Sequence, residues 1–167
     1  AMYLAKEDGK NGFRFFTKEV KTQSIERLTL ETALRRALER DQFALHYQPK
    51  VDMATGQITG VEALLRWTHP ELGVLSPMQF IPLAEETGLI VPLGNWVLET
   101  ACAQLAAWAT QPAMAHLTVA VNVSAHQFLQ AGFVDRVLAV LKDSGANPLR
   151  LKLELTESML VSNVEEI

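Results

Sequence analysis

Three separate stretches of the chain alternate apolar and polar residues with a period of two, and helical patterns lie between them. The first is Gly60-Val61-Glu62-Ala63-Leu64-Leu65-Arg66-Trp67, bounded by Thr55-Gly56 and by His69-Pro70, the turn chemistry that ends a strand. Side chains alternate across a strand, so Val61, Ala63, Leu65 and Trp67 share one face, and Glu62, Leu64 and Arg66 share the other. Residues 117–124 repeat the pattern, with Val119, Val121 and Val123 opposite Ala120, Asn122 and Ser124. Residues 149–156 repeat it again, with Leu151, Leu153 and Leu155 opposite Lys152, Glu154 and Thr156. A further strand over 43–48 ends at Pro49. The turn chemistry of 52–57 leads from it straight into the first stretch, which predicts a hairpin.

Helical spacing fills the intervals. Leu30, Ala33, Leu34, Ala37 and Leu38 make one helical face. Ser76-Pro77-Met78-Gln79 marks a helix start, with Ser76 as cap, Pro77 at the first helical position and Gln79 completing a capping box. Gly88 is its stop. A longer helix is predicted over 92–110, with Leu93, Trp96, Val97, Ala101, Leu105 and Trp108 turned inward. Another covers 128–142 and stops at Gly145, followed by an Asn147-Pro148 turn, and the tail from Glu157 begins one more. The polar segment 18–24 reads as a linker. Strands alternating with helices predict an α/β fold with a parallel sheet and crossover helices, either an open sheet or part of a TIM-like (β/α) barrel. There is no short internal repeat and no low-complexity tract.

Composition narrows this picture without changing it. The 167 residues are 49% hydrophobic and 20% charged, which is globular and large enough for a sizeable core. A formal charge of −4 argues against a nucleic-acid duplex as partner. The lone cysteine, Cys102, lies in an apolar helical run and reads as a buried structural thiol. No apolar run approaches the roughly 20 residues needed to span a bilayer, and no signal peptide is expected. The expected setting is the cytoplasm, with any membrane anchor lying upstream in a longer parent.

Candidate chemistry follows from the strand pattern. A parallel strand inside an α/β fold is ordinarily apolar on both faces, yet one face here carries a carboxylate and a guanidinium. Buried charges cost several kcal/mol each unless they are paired or bind a ligand. Ligands in such folds gather at the carboxyl ends of strands, where Glu62, Asn122 and Glu154 each place an oxygen. Carboxylate and amide oxygens without thiolate suit a hard cation such as Mg2+ or Mn2+. Arg66 is placed to grip a phosphate, although an Arg in a strand can equally pair with a structural carboxylate. Each strand-end oxygen, taken alone, also reads as a cap or loop-bonding group. His46, His69, His116 and His126 have no ligand-like spacing and read as structural or exposed.

The motifs themselves resemble a known family. Tyr47-Gln48-Pro49, Glu62-Ala63-Leu64-Leu65-Arg66-Trp67, Asn122-Val123-Ser124 and Glu154-Leu155-Thr156-Glu157 resemble the EAL domain in order and spacing. The segment from Pro77 to Gly88 is similar to the one the family has there. The opening Ala-Met-Tyr-Leu-Ala-Lys and Gly-Lys-Asn-Gly-Phe-Arg-Phe-Phe are similar to the end of a GGDEF domain. The resemblance implies three parts: a GGDEF-like remnant over 1–20, a linker over 21–29, and the N-terminal part of an EAL domain over 30–167. It also implies a TIM-like barrel that hydrolyses cyclic di-GMP to linear pGpG with Mg2+ or Mn2+. On that reading Glu62, Asn122 and Glu154 are metal ligands, Gln48, Leu64 and Arg66 contact the dinucleotide, and Glu157 holds a neighbouring active-site loop.

The family's next strand carries an Asp-Asp-Phe-Gly-Thr-Gly motif with further ligands, and later strands bring a lysine and a glutamate. None of these falls within the 167 residues. The fragment alone is therefore expected to be inactive. Its open edge predicts a homodimer, and its parent is expected to carry GGDEF and sensor domains. Two other readings stay open: a non-catalytic cyclic-di-GMP receptor, and a dimerising scaffold.

Overall fold

The structure is a computed structural model that describes residues 18–155, with side chains from Arg27 onward. Helix α1 (Lys18–Ala37) leads into a hairpin of β1 (Phe43–Val51) and β2 (Ile58–His69), and the short β3 (Gly73–Leu75) folds back on β2. Helices α2 (Pro77–Thr87) and α3 (Ile90–Ala109) follow. Then come β4 (Thr118–Val123), a one-turn helix α4 (Ala125–Phe128), α5 (Phe133–Ser144), a 3-10 turn (Pro148–Arg150) and β5 (Leu151–Leu155). The sheet runs β1-β2-β4-β5, with β1 antiparallel to β2 and with β2, β4 and β5 mutually parallel. Crossover helices between parallel strands make this the α/β architecture of a partial TIM-like barrel.

Four boundaries depart from the sequence pattern for identifiable reasons. Helix α1 begins at Lys18, so the segment expected to be a linker over 21–29 is helical. Its lysine, glutamine and glutamate residues are good helix formers even without an apolar stripe. Strand β1 runs through Pro49 to Val51 instead of stopping at the proline. Proline donates no ladder hydrogen bond, but β1 pairs only with β2 among the described strands, so the missing donor can face the free edge. The helix predicted over 128–142 is two helices, separated by residues 129–132, with Gly132 at φ +81°. Ser124 belongs to no strand face. It caps α4, its Oγ accepting the Gln127 N–H at 3.2 Å.

Other signals are met. Gly88 and Gly145 terminate α2 and α5 in the left-handed conformation. Gln79 Oε1 accepts the Ser76 N–H at 2.8 Å at the start of α2. In the β1–β2 turn, Asp52 Oδ1 accepts the Ala54 and Thr55 N–H groups at 2.9 and 2.8 Å. These bonds hold its carboxyl below the usual aspartate range, the Thr55 amide contributing most.

The core lies on one side of the sheet. Val61, Ala63, Val119 and Val121 pack against Val97, Leu98, Ala101, Cys102 and Leu105 of α3. Burial pushes the Cys102 thiol up to about 11, so the thiol is structural and unreactive at neutral pH. A second cluster joins Leu34 and Ala37 of α1 to Phe43, Trp67, Phe80 and Leu93. Trp67 meets Phe43 and Phe80 at ring-centroid distances of 5.7 and 5.4 Å. Among the described residues no helix is long and apolar enough to cross a membrane.

Candidate functional site

The face of the sheet turned away from α3 carries the polar residues. Antiparallel pairing sets Gln48 opposite Glu62, His46 opposite Leu64 and Lys50 opposite Gly60. Parallel pairing sets Glu62 beside Ala120, and Asn122 beside Glu154. Alternation then assigns His46, Gln48, Lys50, Glu62, Leu64, Arg66, Asn122, Lys152 and Glu154 to one face.

Two contacts cross this face, and the longer one shows that it is concave. Asn122 Nδ2 donates to Glu62 Oε1 at 2.8 Å, although the register partner of Glu62 is Ala120. The two groups meet on the diagonal, within the normal reach of long side chains on adjacent strands. Lys50 on β1 reaches Glu154 on β5, with Nζ 2.5 Å from Oε1. A flat sheet would hold these strands three spacings apart, roughly 14 Å. Only a curled sheet brings their side chains together.

Each sequence-predicted residue except Glu157 can now be placed. Glu62, Asn122 and Glu154 share the concave face, the first two in direct contact and the third held by Lys50. Gln48 is exposed beside Glu62, and Leu64 is half-buried. Arg66 is half-buried, and its Nη1 donates to the Leu65 carbonyl at 2.8 Å. Among the described residues no carboxylate pairs with it. Glu157 lies outside the described residues.

The histidines contribute little to the site. His69 is buried, and its Nδ1 accepts the Glu71 and Leu72 N–H groups at 3.2 Å, shaping the β2–β3 turn. His116 Nε2 lies 3.0 Å from the Ile58 carbonyl oxygen, and His126 is exposed on α4. His46 is exposed but belongs to the concave face, a placement the spacing argument missed. Among the described residues no three His, Cys, Asp or Glu side chains come together as a metal cluster. The donors available are two carboxylates and one amide, a hard oxygen set.

Two further residues escaped the sequence reading. Lys50 is two positions beyond Gln48, so alternation alone could have put it on the same face. Gln127 is 4% exposed, and its side chain lies against Gly94 of α3, where an added Cβ would stand 2.2 Å from Oε1. A glycine inside an apolar helical run was the available signal for that close approach. Gly94, Gln127, Leu64, Asn122, Ser124 and Glu85 border a cavity of about 230 Å3 at the carboxyl ends of β2 and β4. Apolar walls with a few polar groups at strand ends are the usual form of a small-ligand site in such folds.

The curled sheet gathers oxygen donors at its strand ends, and comparison with known proteins gives the family. The chain belongs to the EAL domain family, whose model matches residues 31–167. It is 48% identical over 165 residues to the bifunctional diguanylate cyclase/cyclic di-GMP phosphodiesterase MucR of Pseudomonas aeruginosa, covering 99% of this chain and 24% of that protein. It is 44% identical over 165 residues to the cyclic di-GMP phosphodiesterase PdeR of Escherichia coli, again covering 99% of this chain and 24% of the relative. The chain thus spans about a quarter of the length of these relatives. A solved structure described as the PaMucR phosphodiesterase in complex with c-di-GMP superposes with a TM-score of 0.74 at 52% identity, over 77% of this chain and 52% of that one. The c-di-GMP-bound FimX EAL domain of Xanthomonas citri superposes with a TM-score of 0.72 at 25% identity, over 87% and 55%.

Proposed function

We propose that this chain forms one wall of a cyclic di-GMP phosphodiesterase site that yields linear pGpG with the help of Mg2+ or Mn2+. The observation that carries the reading is the contact between Glu62 and Asn122, with Glu154 on the same concave face. Its support from outside the chain is the family membership and the cyclic di-GMP phosphodiesterases among the relatives.

Glu62, Asn122 and Glu154 would hold the cation, which when bound polarises a phosphoryl oxygen and makes a bound water acidic. The remaining groups act on the dinucleotide. Arg66 gives up the weak bond to its neighbour's carbonyl for a phosphate, a stronger and bidentate partner. Gln48 offers an amide beside Glu62, and Leu64 offers apolar surface at the mouth of the cavity. Glu157 orders the neighbouring loop. In hydrolysis the water oxygen bonds to phosphorus, one P–O3′ bond breaks, and the leaving 3′-oxygen takes up a proton.

The 167 residues alone are inactive on this reading, because the ligands on later strands are absent from them. The full-length protein is a cytoplasmic homodimer with a GGDEF domain ahead of the EAL domain. The decisive test is Glu62→Ala in the full-length protein, assayed by chromatography of pGpG release. The expected result is loss of turnover with an unchanged melting temperature. Retained turnover removes Glu62 from the site.

A further inference from the structure

Lys50 carries an observation that the family reading does not use. Its ammonium meets Glu154 Oε1 at 2.5 Å, yet Glu154 is not on the strand next to it. Lys50 starts from β1 opposite Gly60, which puts no side chain on the concave face. Ala120, on the next strand, puts only a methyl group there. Thr118 is the register partner of Gly60, and its Oγ1 would stand 2.2 Å from a Cβ added there, so the lysine crosses a filled stretch of β2 and β4 to reach its carboxylate on β5. An ordinary surface ion pair joins near neighbours and contributes little. This one spans the site and ends on one of its oxygen ligands.

We propose that Lys50 is a positioning residue that acts as an internal counter-cation. It holds the Glu154 carboxylate in place when no metal is bound and must release it when a divalent ion arrives, so it sets the affinity of the site for that ion. The inference rests on the reading of Glu154 as a metal ligand. Two effects have the same sign. The ion must displace a charge-assisted hydrogen bond, and it must bind beside a fixed positive charge. Removing the charge while keeping the carboxylate therefore tightens cation binding. A lysine that merely braced the fold would weaken it or leave it unchanged.

The test is calorimetric titration of the nucleotide-free, full-length protein with Mn2+, which needs no turnover. Lys50→Met is expected to tighten Mn2+ binding about three- to fivefold, the range an exposed ion pair supports. Lys50→Gln, which keeps a hydrogen-bonding head without charge, shifts it the same way, and Lys50→Arg stays within about twofold of the parent. Glu154→Gln weakens binding. If Glu154→Gln weakens binding while both uncharged Lys50 variants leave it unchanged or weaker, the counter-cation role is overturned and the metal reading stands. If Glu154→Gln has no effect, the metal reading falls and this inference with it.

Discussion

On the side of β2 and β4 that meets α3, Val61, Ala63, Val119 and Val121 are all buried, and no polar side chain interrupts them. On the opposite side of the same two strands, Glu62 is half-buried and Asn122 is exposed, and both are hydrogen-bonded. The backbone, register and twist are common to both sides, so the difference lies wholly in which residues fall on odd and even positions. Burial of aliphatic groups, at about 25 cal/mol per Å2, supplies stability on the helix side. The concave side contributes charge in a geometry that stability does not require. One side should therefore be sensitive to volume and the other to charge.

The largest effect that tests this division is on the volume-sensitive side. Trp67 is fully buried among Phe43, Phe80 and His69, so Trp67→Ala should cost about 3–5 kcal/mol. Denaturant unfolding would measure it, and a loss below about 1 kcal/mol would break the comparison. Next comes Arg66→Ala on the concave side. Its stability should stay within about 0.5 kcal/mol of the parent while cyclic di-GMP affinity falls at least tenfold, the loss of a charge-assisted contact. Calorimetry with the dinucleotide reads one quantity and thermal melting the other.

The smallest effect is at Asp52, outside both faces, where the β1–β2 turn fixes their register. Its pKa is lowered on folding, so its contribution to stability is present above the ordinary aspartate value of about 3.9 and is lost as pH falls through the lower folded value. Asp52→Ala should lower the melting temperature slightly at about pH 6, and the gap from the parent should narrow as pH falls below about 3.9. A gap independent of pH would assign the effect to the turn backbone instead of the carboxylate.

What the sequence disclosed and what it withheld divide along physical lines. The faces of β2, β4 and β5 were legible because alternation is a local property of a strand. The long helix α3 was legible for the same kind of reason, and so were the glycine stops at Gly88 and Gly145. Helix α1 was read too short because its first turns carry polar residues with no apolar stripe to mark them. The break between α4 and α5 depends on the left-handed Gly132, which a helical apolar pattern conceals. At the site, alternation alone puts Glu62, Asn122 and Glu154 on one face. Their arrangement was not legible, because the meeting of Lys50 with Glu154 depends on how far the sheet curls. Exposure of Leu153 (38%) and Leu155 (49%) was equally hidden, since alternation marks a face without saying what covers it.

Pro49 has a consequence beyond its place in the ladder. A sheet with an uncovered margin is a template onto which another extended chain can add, and that is how many folded proteins begin to aggregate. Pro49 pairs opposite Val61 on the inner side of β1 and has no N–H to offer on the outer side. An intruding strand arriving at that margin finds a gap in the row of donors near the end of β1. The residue next to Gln48 thus also interrupts the edge of the hairpin that carries Glu62.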